Sequence, residues 1–410
     1  MNVLLIAPSA PPKNSPEALQ VYRFLTHLES DVRVLLATTP VVAGWEWFDP
    51  TLAIDRAGFE RIELALPAHR FLHRLLSHRY LSWLRLPDEY FWLPAKAAAL
   101  ARLARARGVE VIYSRSFPLS AALLGRAVKR RLDLPWLMHL SDPWVGNPYR
   151  RPRRLTASWD LRLEGACFAD ADAVSFTTER QLAFYAKRYP QHAHKFLLAP
   201  NMMPARASPL AASAARRKES AGRLRIVYAG SLYGERNPAT LFAAIDLLLK
   251  RTSRLADRLA VDFYGTAEAH YRRAIESAPC CRWHGVVTST EATRIQAEAD
   301  LLLVIEPPAS HPLSGAFLLS KVVDCLAAGR PMLAITPRDS ETWRLCRAGA
   351  GWAVEPGDVA TLADLLGRLA ARKEAGEALP TPPESLAEAL AAPAVTRQIL
   401  ASLRRLRDGR

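Results

Sequence analysis

The sequence predicts an α/β protein built from two doubly wound parallel-sheet halves, and three observations carry that prediction. Short apolar runs alternate with helical spacing along most of the chain, the pattern of parallel strands covered by helices on both faces. The alternation comes in two series separated by a stretch with no apolar period. The 410 residues, 50% hydrophobic and 23% charged, have the composition of a folded protein. At about 100 to 200 residues per domain they are enough for two.

The first series opens at Val3–Ala7, continues through a Pro/Ser/Asn loop into helical spacing from Pro16 to Leu28, and reaches a second run at Val32–Ala37. Val109–Ser114 follows, then helical Ala121–Arg131, then Trp136–Ser141, Ala173–Phe176, helical Thr178–Arg188 and Lys195–Ala199. Met203–Gly222, rich in Ala, Ser and Arg, reads as a linker. The second series is Leu224–Tyr228, Val261–Tyr264, Cys281–His284, Leu301–Ile305, Met332–Ile335 and Gly351–Val354. The Pro-rich break at Leu379–Pro383 isolates a terminal helix over Ser385–Arg407 that is free to pack elsewhere, including back on the first half. The expected domains are thus 1–202, a linker 203–222, 223–384, and a terminal helical segment 385–410.

Net charge is +15, from 55 Lys and Arg against 40 Asp and Glu. The surplus is spread over both halves, which suits a phosphate-bearing partner: nucleotide, nucleic acid or anionic lipid. Dispersed basic residues without a reading helix argue against nucleic acid. Cys167, Cys280, Cys281, Cys325 and Cys346 form no CxxC, so neither a disulfide framework nor a zinc site is expected. Met1–Pro12 lacks a signal-peptide core, and no apolar run approaches the roughly 18 residues of a membrane span. The expectation is a cytoplasmic protein, with peripheral attachment at the inner face of the membrane left open.

Open α/β sheets bind ligands beyond the carboxyl ends of their strands, so the loops there are the candidates. In the loop Ala229–Pro238, Gly230 and Gly234 allow close backbone approach, a helix start offers free amides, and Arg236 is a bidentate phosphate donor. A plain turn with a solvated arginine is the competing reading. The segment Ser314–Pro331 has Gly315 opening a helix, with Lys321 and Asp324 three apart on one face. Gly329 and Pro331 stop that helix. A cation for phosphate and a carboxylate for ribose hydroxyls suit a nucleotide; an exposed ion pair is the alternative.

These residues resemble the family-four glycosyltransferases, retaining nucleotide-sugar enzymes of the GT-B fold. The resemblance is carried by Tyr228–Leu232 with Arg236-Asn237-Pro238, by Phe263-Tyr264-Gly265, by Trp283-His284-Gly285-Val286, and by Ala299–Leu303. Above all it rests on Ser320-Lys321 through Asp324 to Ala327-Ala328-Gly329-Arg330-Pro331. In the first half, Ala171-Asp172-Ala173, Thr177-Thr178-Glu179 and Ala199-Pro200-Asn201 look like the closing elements of the family's first domain. The resemblance implies two Rossmann-like domains facing across a cleft. It also implies a nucleotide-diphosphate sugar as donor, no obligatory cofactor, and a hydroxyl acceptor on a glycan, lipid-linked saccharide or small molecule. It places Gly230, Ser231, Arg236, Gly285, Ser314, Gly315, Lys321 and Asp324 on the donor side. Arg236 matches the family's diphosphate-binding cation and Asp324 its ribose-binding glutamate. Ser231 stands where the family has an arginine, and Ala316 where it has the first glutamate of Glu-x7-Glu; Lys321 is the residue able to take over phosphate charge.

On the acceptor side, His139–Trp144 ends a buried strand, and the family's His-Asp appears here as Ser141-Asp142. Asp142 is the candidate to orient an acceptor hydroxyl or accept its proton, with loop capping the alternative; His139 reads as a core histidine. The glycine-free loop Pro8–Glu17 offers Lys13 and Asn14 as contacts. Asp170-Ala171-Asp172 imitates a metal-binding Asp-x-Asp but lies where a helix ends, and no metal is expected. Arg70, Arg74, Arg79 and Arg85 flank an aromatic-rich helix expected over 68–86, and Arg150–Arg154 form a second basic cluster; each is read as a membrane or lipid-diphosphate contact or as an ordinary surface. The expected catalytic set is Asp142, Arg236 and Lys321, in a retaining glycosyl transfer serving polysaccharide, glycolipid or natural-product assembly. A sugar-nucleotide epimerase and a non-catalytic nucleotide-sugar-binding or scaffold protein of the same fold are the alternatives.

Overall fold

The computed structural model describes residues 1–41, 47–65, 86–147, 156–204, 222–309, 313–316 and 318–409. The helix expected over 68–86, the Arg150–Arg154 cluster and most of the linker 203–222 fall on residues outside that set. The chain divides into two compact units, Met1–Met202 together with Ala392–Arg410, and Met203–Ala391.

Unit 1 holds strands β1 (Asn2–Ile6), β2 (Arg33–Thr38), β3 (Phe59–Glu63), β4 (Val111–Ser116), β5 (Trp136–Leu140), β6 (Ala173–Phe176) and β7 (Phe196–Leu198). Its helices are α1 (Pro16–Thr26), α2 (Ala97–Ala106), α3 (Ser120–Leu132), α4 (Ala157–Asp170) and α5 (Glu179–Arg188). All strand pairs are parallel, in the order β3-β2-β1-β4-β5-β6-β7. Alternate residues of the central strands feed two cores, which is why these strands are apolar almost without interruption. Leu4, Ile6, Ile112, Met138 and Leu140 pack with Leu100, Leu124 and Val128 on one face. Val3, Leu5, Val111 and Tyr113 pack with Val21, Phe24 and Leu25 of α1 on the other. Helix α1 starts where it does because Ser15 caps it, its Oγ accepting from the Ala18 amide at 3.2 Å, and Pro16 opens its first turn.

Unit 2 holds β8 (Leu224–Ala229), β9 (Leu259–Tyr264), β10 (Cys281–Gly285), β11 (Leu301–Ile305), β12 (Met332–Ile335) and β13 (Gly351–Val354), ordered β10-β9-β8-β11-β12-β13 and again parallel. Its helices are α6 (Ala239–Arg251), α7 (Ala269–Ser277), α8 (Ser289–Glu298), α9 (Ser320–Ala327), α10 (Glu341–Leu345), α11 (Val359–Glu374) and α12 (Glu384–Glu388). Leu224, Ile226, Leu301 and Leu303 pack on Leu241, Ile245, Leu362 and Leu366. The fold class read from the strand-helix alternation is the one found. One detail differs: the helix expected to open at Gly315 starts at Ser320, because Gly315 is held in a turn at φ +68°. In each sheet the strand order reverses once, between β1 and β4 and between β8 and β11, and ligand crevices of open α/β sheets form beyond the carboxyl ends at such points.

The last helix, α13 (Ala392–Asp408), belongs to unit 1, where Val395, Ile399, Leu400 and Leu403 join the core of Val21 and Phe24. Arg404 pairs with Glu29 at 2.5 Å and Asp31 at 3.0 Å, and Gln398 Nε2 donates to the Leu198 carbonyl at 2.8 Å. Among the described residues no helix is long and apolar enough to cross a membrane. Leu400 is fully buried, so Leu400→Ala is expected to lower the unfolding free energy by about 2–5 kcal/mol, read from urea midpoints at constant slope.

Candidate functional site

In unit 2 the crevice-forming loop leaves β8 at Ala229. The Gly230 amide donates to the Tyr264 carbonyl at 2.8 Å and the Leu232 amide to Thr266 at 2.9 Å, which stitches the loop to the end of β9. A Cβ on Gly265 would stand 2.1 Å from the Gly230 carbonyl oxygen, so the approach requires glycine there. Gly285 ends β10 and accepts from the Gly265 amide at 2.7 Å. Ser231 Oγ accepts from Thr266 Oγ1 at 2.8 Å, and its carbonyl from the Tyr228 hydroxyl at 2.9 Å.

Beneath this loop lies Lys321, in the first turn of α9. Its Nζ donates to the Tyr228 hydroxyl at 2.8 Å and stands 4.4 Å from the centre of that ring, close enough to Gly230 that a Cβ would meet it at 3.3 Å. Arg236 is buried, with its guanidinium 4.7 Å from the centre of the exposed Tyr233 ring. Burial, and then the charge of Arg236, push the Lys321 ammonium well below the usual lysine range, with Cys325 and Glu306 opposing. Glu306, the first residue after β11, is buried and accepts from Thr336 Oγ1 at 2.7 Å and from Thr342 Oγ1. Burial raises its carboxyl, against those hydroxyls and the two cations. Thr336 also bonds the Ser340 hydroxyl at 2.6 Å, and Ser340 faces Gly315 so closely that a Cβ on the glycine would lie 2.6 Å from its Cβ. Ser314 and Ala316 are buried beside this turn. Asp324 sits half-buried one turn along α9.

In unit 1 a second polar cluster occupies the corresponding edge. Arg115, at the end of β4 and 2% exposed, donates from Nε to Glu17 at 2.6 Å and from Nη1 to the Tyr113 hydroxyl at 2.9 Å, while its buried Nη2 has no hydrogen-bond partner. Ser141 donates to the other oxygen of Glu17 at 2.6 Å. Asp142 follows, half-buried, on a loop held by hydrogen bonds from the Trp144 amide to Tyr185 and from the Val145 amide to Glu164, each 2.8 Å. His139 is buried, bonded through Nδ1 to Ser175 at 2.9 Å, and burial and then Arg115 hold it well below the usual histidine range.

The structure therefore brings Gly230, Ser231, Arg236 and Lys321 together, and sets Ser314 and Gly315 in the neighbouring turn. It does not present Lys13 as a contact: the side chain is buried, with Nζ donating to the Pro8 carbonyl at 3.1 Å and Thr39 Oγ1 at 2.7 Å. Asn14 bonds Asp49 at 3.3 Å. Asp170 pairs with Arg126 at 2.7 Å and Asp172 with Lys129, and among the described residues no group of acids, histidines and cysteines is arranged for a metal. The residues that the sequence did not single out as site candidates are Glu17, Arg115 and Glu306, and Tyr228 entered only among those that carry the resemblance. A usable signal existed for two of them, since Arg115 and Glu306 are charges inside or directly after buried apolar strands. A groove of about 1360 Å³ on unit 2 is lined by Arg225, Asp262, His284, Asp300 and Lys373, but those charges pair with one another, Lys373 with Asp300 at 2.6 Å and Asp262 with His284 at 2.8 Å.

No family model and no curated protein matches this chain. Solved structures match it end to end. Anabaena Alr3699/HepE, in complex with UDP and glucose, superposes with a TM-score of 0.65 at 16% identity, over 98% of this chain and 99% of that one. A glycosyltransferase from Rickettsia africae ESF-5 gives 0.64 at 11%, over 99% and 98%. An α,α-trehalose-phosphate synthase (UDP-forming) from Burkholderia xenovorans, in complex with glucose-6-phosphate, gives 0.67 at 12%, over 98% and 100%. The fold is GT-B. In this GT-B chain the two polar clusters fall at the two strand-order reversals.

His139 makes a pH prediction. Its folded form favours the neutral ring, so stability is fully present above the unfolded histidine value of about 6.5 and is lost as pH falls below it. The loss attributable to this group should approach about 1.4 kcal/mol per pH unit. Urea unfolding at pH 7.5 and 5.5 should show a smaller drop for His139→Asn than for the wild type.

Proposed function

We propose that this chain is a glycosyltransferase that moves a sugar from a nucleotide-diphosphate sugar to a hydroxyl acceptor with retention, without an obligatory metal, in polysaccharide, glycolipid or natural-product glycoside assembly. The observation that carries the reading is the pair of cations, buried Arg236 and half-buried Lys321, at the β8/β11 reversal of a GT-B chain whose structural neighbours include a UDP complex. Transfer expels a nucleoside diphosphate, and the growing charge on its phosphates is what Arg236, Lys321 and the first amides of α9, which has no side-chain cap, would stabilise. The sugar carbon's bond to the diphosphate oxygen breaks while its bond to the acceptor oxygen forms on the same face. The acceptor proton passes to the departing phosphate, so no protein nucleophile is required. In unit 1, Glu17, locked by Arg115 and Ser141 beside Asp142, would orient the acceptor hydroxyl.

The test is thermal stabilisation by UDP, ADP, GDP and their sugars, followed by diphosphate release in the presence of candidate acceptors. One nucleotide series at about 100 times its Kd should add about 2.7 kcal/mol. Arg236→Ala should abolish that shift. Glu17→Gln should keep the shift while lowering transfer by about 100-fold, the scale of a lost positioning contact. A wild-type protein stabilised by no nucleotide would overturn the reading.

A further inference from the structure

One short segment, from Thr266 to Tyr271, grips the loop after β8. The Leu232 carbonyl accepts from the Glu268 amide at 3.1 Å, and Leu232 pairs with Ala267 as a single parallel bridge. Past that bridge the side chains of the segment take over. Gly234, at φ +59°, donates its amide to Glu268 Oε1 at 3.1 Å, and its carbonyl accepts from the Tyr271 hydroxyl at 2.5 Å. A Cβ on Gly234 would meet nothing within 4 Å, so glycine serves the backbone conformation there and not a close approach. Glu268 and Tyr271 stand three apart at the start of α7, the spacing that puts two side chains on one side of a helix. Glu268 also departs from the ordinary rule for its place. It precedes the first turn of α7, where a side-chain oxygen commonly accepts from the helix's own free amides, yet it makes no capping bond and reaches the loop instead. Its other oxygen lies 3.6 Å from His270 Nδ1. Tyr271 is buried in the unit 2 core with Leu232, and burial, then Glu268 and Glu235, raise its phenol, which keeps the proton that Gly234 accepts.

We propose that Glu268 and Tyr271 are positioning residues of the diphosphate subsite, a two-armed clamp on Gly234 that sets the loop carrying Tyr233 and Arg236 before a ligand arrives. The inference rests on reading unit 2 as the donor site. Arg236 lies between two ties. On one side is the clamped Gly234; on the other, Asn237 Oδ1 accepts from the Ala239 amide at 2.9 Å, where α6 begins. Between them the Arg236 amide donates to the Tyr233 carbonyl at 3.2 Å and its guanidinium rests against the Tyr233 ring. A loop left to order itself on binding loses conformational freedom at that moment and affinity with it; a loop fixed in advance does not. Because the clamp works through the segment that holds Arg236, its loss should be felt by a diphosphate more than by a monophosphate on the same nucleoside.

The experiment is calorimetric titration with UDP, ADP and GDP and with the matching monophosphates, on the wild type, Tyr271→Phe, Glu268→Ala and Glu268→Gln. Tyr271→Phe and Glu268→Ala should each weaken the diphosphate about tenfold, the scale of one lost hydrogen bond, and leave the monophosphate within about twofold. Glu268→Gln keeps an oxygen for the Gly234 amide while removing the charge, and should bind as the wild type does. Glu268 is exposed, so its two variants carry the test if replacing the buried phenol unfolds the protein. Equal weakening of both phosphates would mean a general loss of loop structure, and a glutamine variant as weak as the alanine one would mean that the charge acts and the bond does not. Either result, or unchanged diphosphate affinity in Glu268→Ala, overturns the inference and leaves the function standing. Failure of all three diphosphates to bind the wild type overturns both.

Discussion

The hydrogen bond from Lys321 Nζ to the Tyr228 hydroxyl, 2.8 Å long, is the contact on which the carboxyl edge of the unit 2 sheet depends. It joins the end of β8 to the first turn of α9, two elements 93 residues apart, and it runs directly under Gly230. Tyr228 passes the constraint upward by donating to the Ser231 carbonyl, so the loop rests on a phenol that itself rests on an amine. Burial raises the Tyr228 phenol above its ordinary range, which keeps its proton in place for that second bond. The loop needs no arginine at position 231 to hold its shape, since Ser231 accepts from Thr266 instead.

Unit 1 answers the same physical problem in the opposite way. Arg115 is taken out of water almost completely, and a fixed carboxylate, Glu17, touches it at 2.6 Å. Breaking such a pair from one side is costly because the other charge stays buried. Ser141 donates to the other oxygen of Glu17. The edge of unit 1 thus sets a cation directly against a carboxylate, whereas in unit 2 the Lys321 amine meets a phenol.

The strands and their alternation were readable because both faces of each central strand are buried, and burial on both faces leaves an unmistakable apolar run. β3 escaped, since Phe59–Glu63 is an edge strand with Glu60 and Glu63 exposed and no apolar alternation. In the site, Gly230, Arg236 and Lys321 were legible because loop position and residue type announce them. Lys13 was misread because a lysine can turn inward when backbone carbonyls wait for it, and spacing carries no information about that. Glu17 was invisible for a related reason: it becomes meaningful only through Arg115, a partner far along the chain, whereas Glu306 left a signal as a charge directly after a buried apolar strand.

The chain leaves unit 1 at Met202 and returns to it at Ala392, so the unit's second core is completed by Val395, Ile399, Leu400 and Leu403. Synthesis runs from the amino end, and domains ordinarily fold as they emerge. Here the amino-terminal unit cannot finish first. During translation of residues 203–391 the apolar faces of Val21 and Phe24 wait without the cover that α13 gives them. The second unit, contiguous in sequence, has all its elements made before α13 is. Loss of α13 therefore damages the half of the molecule that was made earliest.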